Sequence, residues 1–588
     1  MLRRVSRAPA PEGSGAALGV STGGRASAAT ARPAAASRRL LALAVVFVLC
    51  AAGLSLLHAR TQPHYRLGAA AAIAAARANP SDREFLASHP ASSARVVPLD
   101  ATVQRVTFFD GPRIVLDAAV GPNGALVSIE QHIPGEPVSG AALANSPWVL
   151  ALLTVLFLLA TLVMPLQRVR NLDALAVASF TLTVPLINEG LAVASVALAV
   201  PALCYLLIRC LLVGLGSTRP PASPTTPLLQ WLWADWEPRR RTRMLRVLLF
   251  ATVLAFLLIT LTSSGYSDVA VASLQGATDL LHGVLPYGHM QLEVHGDTYP
   301  LLNYLFYAPA AAWLPVRDLF SDMSGSLLTT AVASLLVGWA LFRLGGRAPA
   351  GGGRADERTG DRGLRLALAW FAFPPVLLAA SGGSNDLVLA ACLAGMLALR
   401  PRIGASLLAL ALGVWVKLVP LVLLPIWLPY RRRGLGRACY AAVALSAGAV
   451  GLLVLFGGLG GVSAMVHAMT FQFQRGSFYT PWYAFGLRWL QPLVQAAVLA
   501  IVVAAVLALR SAPSAGTDLV RLGALAAALL LGVQLAANYW TWSYLPWVFP
   551  FLAVALFLGA PAPVGLEGDA VAWQAVVTHP LPAALPAR

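Results

Sequence analysis

The chain repeats apolar runs close to 20 residues long, separated by short arginine-rich or acidic segments. They fall at about 147–165, 171–188, 190–213 and 246–263, with more from 301 onward. A helix rises about 1.5 Å per residue and bilayer hydrocarbon is about 30 Å thick, so each run is a candidate crossing. The expected fold is an all-α polytopic membrane protein of about 12–14 membrane segments, with one small α+β part near the amino terminus.

Composition agrees: 58% of the 588 residues are hydrophobic and only 11% are charged, against about 25% charged in soluble domains. The net charge of +17 is not spread as a nucleic-acid surface would be. Arginines collect beside the apolar runs, as at Arg38-Arg39, Arg239-Arg240-Arg241 and Arg431-Arg432-Arg433, which is the positive-inside pattern. No nucleic-acid partner is expected. The five cysteines lie in apolar stretches without metal-binding spacing and read as buried thiols. Abundant Ala, Arg, Gly and Pro with almost no Lys suggests a GC-rich bacterial genome, hence a bacterial plasma membrane.

Residues 1–37 lack apolar periodicity and read as a disordered basic cytoplasmic arm, followed by an anchor helix over 38–59. Residues 60–146 differ. "LGAAAAIAAARANPSDREFLASHP" suggests one or two short helices. "VQRVTFFDGPRIVLDAAVGPNGALVSIEQ" then suggests three strands, broken at Asp110-Gly111-Pro112 and Pro122-Asn123-Gly124. This is an extracytoplasmic α+β domain whose pattern resembles PepSY-like modules. Additional membrane helices and a cytoplasmic loop occupy 147–245, a membrane module 246–560, and a cytoplasmic tail 561–588. Arginine placement puts 214–245 inside and 264–300 outside. Between 301 and 429 two paths remain. Either 301–316 crosses fully, or it dips and returns, which puts 343–365 inside and makes 403–430 a broken hairpin turning near Lys417 and Pro420.

Lys417 is the only lysine, and it stands inside "LALGVWVKLVPLVLLP". A charge at membrane depth costs about 2.5–3.5 kcal/mol, so it faces a cavity or a partner. Two readings compete: contact with a lipid phosphate, or pairing with a carboxylate such as Asp386 to assemble the bundle. The outer loop 264–300 carries Asp268, Asp279, His282, His289, Glu293, His295 and Asp297 and no Lys or Arg. Asp268 would stand where membrane meets water, and a continuous helix would put Asp279 on its face. Its competing role is a helix cap. His289, Glu293 and His295 are weak candidates for a divalent metal. Arg475, in "FQFQRGSFYTPWY", is a candidate second phosphate contact. Trp540 and Trp542 read as an interfacial belt.

Four segments in order, "GYSDVAVASLQGATDLLHGVLPY", "TYPLLNYLFYAPAA", "GGSNDLVLAACLAGML" and "ALGVWVKLVPLVLLP", resemble the GT-C glycosyltransferases over roughly 246–560. They are most similar to glycosyltransferase family 87, the polyprenyl-phosphate-mannose-dependent mannosyltransferases. The resemblance implies an active site on the outer face, a sugar donor on polyprenyl phosphate and an acidic residue in the first outer loop. Asp268 matches that position, and Asn385 and Lys417 match later polar positions. Tyr287, Tyr299, Asp279, His282, Asn385 and Asp386 are the expected substrate contacts. The family pattern departs at Gly382-Gly383-Ser384-Asn385 and at Tyr299-Pro300-Leu301. The chemistry stands on its own terms: attack on the anomeric carbon needs a base for the acceptor hydroxyl and a cation for the departing phosphate. Asp268 and Lys417 would fill those roles, with inversion, and a cell-envelope glycan or glycolipid as acceptor. A lipid or polysaccharide transporter, or a non-catalytic assembly factor working through 60–146, would also place charges in a bundle.

Overall fold

The computed structural model describes residues 45, 47–56, 65–216, 226–265, 267–288, 290, 297–314, 322–346, 355–427, 435–511 and 519–558. The expected arm 1–37 and tail 561–588 lie outside the described residues.

The small domain opens with α1 (Ala69–Ala78) and α2 (Pro80–Ala87), followed by four strands: β1 (Ser93–Pro98), β2 (Gln104–Asp110), β3 (Arg113–Val120) and β4 (Leu126–Gln131). They form an antiparallel meander in the order β1-β2-β3-β4. The turns fall at the expected places, where Gly111 and Gly124 take φ of 57° and 83°, a region open to glycine at no steric cost. Three strands were expected and there are four. The extra one, β1, reads "SARVVP"; it follows α2 closely and ends in proline, so it has no turn pair of its own to mark it. One sheet face carries Val106, Phe108, Leu116 and Ala118, buried against Ala72 and Ala76 of α1.

The membrane module follows as α3 (Pro147–Thr161), α4 (Val169–Ser179), α5 (Ala192–Gly214), α6 (Pro238–Leu261), α7 (Asp268–Leu281), α8 (Leu301–Trp313), α9 (Ser324–Gly346), α10 (Ala355–Phe371), α11 (Pro374–Ser381), α12 (Asp386–Ala398), α13 (Ile403–Val416), α14 (Leu435–Gln474), α15 (Gln491–Ser511), α16 (Leu519–Ala536) and α17 (Leu545–Leu552). Among the described residues seven helices are long and apolar enough to cross a membrane, or eight if α10 and α11, bent by 55°, form one span. The expected 12–14 segments are approached only by adding shorter apolar helices such as α3, α12 and α13. The protein is a multi-pass membrane protein.

The path between 301 and 429 is the dip and return. Asp361, ahead of the buried part of α10, accepts hydrogen bonds from Thr242 (2.7 Å) and Gln230 (3.4 Å), so this part of α10 lies at the same end as the start of α6. Ser326, at the start of α9, donates to the Gly383 carbonyl at the other end. The 13-residue α8 therefore leaves the chain at the end where it began. Helices α12 and α13 form a short hairpin that brings Lys417 back to Asp386.

The sheet docks on the end of the bundle that holds the 381–386 loop. Gly476 N–H donates to the Pro98 carbonyl (2.7 Å), and Ile114 N–H donates to the Gly190 carbonyl (2.9 Å). The chain leaving β4 passes against the loop itself, where Ala141 N–H donates to the Ser381 hydroxyl (3.2 Å).

Candidate active site

The site is built on helix ends. Helix α7 starts at Asp268, capped by the Ser267 hydroxyl, which accepts from Ala270 N–H. The cap is thus Ser267, and Asp268, the first helical residue, stays exposed with its carboxylate accepting from Val269 N–H at 2.8 Å. The Ser267 N–H and hydroxyl both donate to the Gly382 carbonyl, at 3.0 and 2.9 Å. The loop 381–386 is therefore fastened directly to the start of α7.

That loop has little freedom. Gly383 has φ of 70°, and a Cβ there would meet the Ser326 hydroxyl at 2.6 Å and the Ala270 methyl at 2.7 Å. Its carbonyl accepts from Ser326 (2.9 Å) and Tyr307 (3.4 Å). Beyond it, Asn385 is fully buried and donates to Asn303 (2.8 Å), whose own amide donates to Ser273 (3.1 Å). Asn385 thus ties α7, α8 and α12 together and does not face open space.

Asp386, 1% exposed, pairs with Lys417 at 2.5 Å, and its other oxygen accepts from Ser384 (2.8 Å). The pairing weighed from sequence is realised, yet the lysine is not used up. Its side chain is 16% exposed, and the ammonium sits 5.6 Å from the Tyr299 ring and 5.4 Å from the Tyr544 ring. Helix α13 breaks at this lysine, whose backbone is extended. Arg475 approaches Tyr544 from the other side, donating to its hydroxyl at 3.3 Å while stacking 3.9 Å from the Tyr539 ring. Two cations therefore share one tyrosine. The charge of Asp268 reaches the hydroxyls of Tyr299, Tyr539 and Tyr544. An open carboxylate, two cations and an aromatic wall converge at one end of the bundle.

Other expected residues stand apart. Asp279 and His282 are near the far end of α7, eleven and fourteen residues from Asp268, so a rise of about 16 Å or more separates them from it. Tyr287 is buried and donates to the Tyr299 carbonyl (3.0 Å), which supports the loop ahead of α8. His289, Glu293 and His295 lie outside the described residues. Trp540 and Trp542 are 3% and 5% exposed and belong to the core, which corrects their reading as a belt. Tyr539, Tyr544 and Asn303 were not foreseen, since a tyrosine or asparagine in an apolar run has no spacing signature.

No curated protein and no solved structure matches the chain. Residues 298–536 match the family model described as glycosyltransferase family 87. That span holds Tyr299, Asn303, Asn385, Asp386, Lys417, Arg475 and the start of α14 through α16; Asp268 and Tyr544 lie outside it, so the match is narrower than 246–560. Residues 298–536 are thus similar to glycosyltransferase family 87, consistent with a glycosyltransferase of GT-C type.

Proposed function

We propose that the protein is an inverting glycosyltransferase that takes a sugar from a polyprenyl-phosphate donor and passes it to a cell-envelope glycan or glycolipid on the outer face of a bacterial plasma membrane. The observation that carries this reading is the pair of cations on either side of Tyr544, at the end of the bundle where Asp268 stands exposed at the start of α7. Lys417 and Arg475 would hold the phosphate. As the acceptor oxygen attacks the anomeric carbon, its proton passes to Asp268. The bond between that carbon and the phosphate oxygen breaks, and the phosphate keeps the electron pair beside the two cations. One displacement inverts the anomeric centre. Arginine placement supports the outer face, because 264–300 lacks Arg and Lys while 214–245 is rich in Arg. Mannose is the donor sugar that the family resemblance favours.

The test supplies the full-length protein in membranes with a panel of radiolabelled polyprenyl-phosphate sugars and a glycolipid extract. The anomeric configuration of the product is then read by NMR. Product of inverted configuration from a lipid-phosphate sugar is expected. Product of retained configuration, or transfer from nucleotide sugars alone, overturns the reading.

A further inference from the structure

The second face of the small sheet has apolar margins and a polar centre. Thr107 is the Cα partner of Asp117, and Asp117 of Glu130, so one row crosses three strands. Arg105 and His132 stand two residues along the same strands, and strand alternation places all five on one face. The Thr107 hydroxyl donates to Asp117, and His132 Nε2 lies 3.3 Å from the other Asp117 oxygen.

The margins of this face are what dock on the bundle. Val97, Phe109 and Ile114 pack with Phe478 and Ala192, and Leu99 and Ala119 pack with Phe471. Phe109 meets the Phe478 ring edge-on at 5.1 Å. The polar centre lies beside the site: Gly476 N–H donates to the Pro98 carbonyl at the end of β1 (2.7 Å), and the neighbouring Arg475 stacks 3.9 Å from the Tyr539 ring. Tyr479 packs against the cluster that Val97, Phe109 and Ile114 form with Phe478, and the charge of Arg105 acts on Tyr479 and Tyr539. Glu130 remains exposed although its face is docked, so the gap under the sheet is open to water.

We propose that this gap is the acceptor subsite, and that it takes an uncharged sugar residue of a glycan. Arg105 offers donors, Glu130 offers acceptors, and His132 completes a face of mixed polarity that suits an array of hydroxyls. Tyr479 and Tyr539 supply aromatic faces for the apolar side of a sugar ring. An anionic ligand would meet Glu130 and Asp117; a divalent cation would find ligand atoms of Asp117, Glu130 and His132 within 4.8 Å of one another, but with the Arg105 charge acting on the same carboxylates. The inference deepens the transferase reading and rests on it only for the direction in which the bound hydroxyl is offered to Asp268.

The test measures binding, with no turnover needed. The full chain in lipid nanodiscs is titrated with tritiated octyl glycosides of the common hexoses and pentoses, with Glu130→Gln and Arg105→Gln beside the wild type. Arg83→Gln, on the exposed side of α2, is the control. Retention of at least one glycoside by wild type and the control, with at least tenfold weaker binding in Glu130→Gln and Arg105→Gln while both remain folded at the assay temperature, is the expected result. Binding that survives both substitutions, or no retention by the wild type, overturns the proposal. Glycoside binding that depends on Glu130, in a protein that transfers nothing from any lipid-phosphate sugar, would instead sink the transferase reading alone.

Discussion

Two buried ion pairs invite comparison. Asp173 of α4 and Arg209 of α5 meet at 3.0 Å with exposures of 1% and 19%, and Asp386 and Lys417 meet at 2.5 Å with exposures of 1% and 16%. Burial does not separate them; backbone and surroundings do. The first pair joins two unbroken helices, and Arg209 Nε reaches both carboxylate oxygens while the Tyr205 hydroxyl adds a third contact at 2.8 Å. The second pair sits where one helix begins and another breaks, between two tyrosine rings and near a second cation. A break gives up backbone hydrogen bonds that lipid cannot replace. An assembly clamp has no need of that sacrifice, and the break at Lys417 is what the proposed donor contact calls for.

The largest expected effect does not discriminate between them. Arg209→Met and Lys417→Met each strand a buried carboxylate, and each should lower stability by about 3–5 kcal/mol, read as melting temperature in detergent. The double substitutions break the symmetry. Arg209→Met with Asp173→Asn should recover both melting and transfer. Lys417→Met with Asp386→Asn should recover melting yet remain at least about 100-fold slower in transfer, a loss of about 2.7–4 kcal/mol. Equal recovery of transfer in the two doubles would erase the distinction. Gly383→Ala comes next, at about 1–3 kcal/mol of stability, because it combines positive φ with a clash on Ser326.

The smallest effect belongs to the sheet. Burial opposes charge on His132, but the hydrogen bond and charge of Asp117 outweigh it and hold the imidazole above its ordinary value. Burial likewise opposes the Asp117 charge, while His132, Arg105 and Thr107 prevail and hold its carboxyl low. The His132 contribution is complete below the ordinary imidazole value of about 6.5 and is lost as pH rises through the raised folded value. The Asp117 contribution is present above the ordinary carboxylate range and is lost as pH falls through its lowered value. The melting difference between wild type and His132→Gln should therefore narrow as pH climbs from neutral. A difference that widens over that range contradicts the assignment.

Much of this arrangement is legible in the sequence, because lipid imposes length. The crossings appear as apolar runs, the sheet turns as Asp-Gly and Asn-Gly, and Lys417 as a charge no bundle carries without a partner. The start of α7 at Asp268 was also readable. What the sequence withholds is proximity. Nothing in "NYWTWSY" indicates that Tyr544 would lie between a lysine 127 positions earlier and Arg475. Alternation along β2 and β4 shows that Arg105, Thr107, Glu130 and His132 share a face, but an alternating polar face ordinarily meets solvent. That this face meets the bundle instead depends on the apolar margins packing on Phe471 and Phe478, a contact between segments more than 350 residues apart.

Under the proposed function Asp268 takes the acceptor proton while Lys417 and Arg475 hold the donor phosphate. The most direct measurement is the rate of sugar transfer from a saturating polyprenyl-phosphate sugar, comparing wild type with Asp268→Asn at equal folded protein. Asp268 is exposed and its carboxylate accepts from Val269 N–H of its own helix start, so the substitution should leave melting nearly unchanged. The expected result is a fall in rate of at least about 100-fold. Transfer by Asp268→Asn at the wild-type rate would contradict the account.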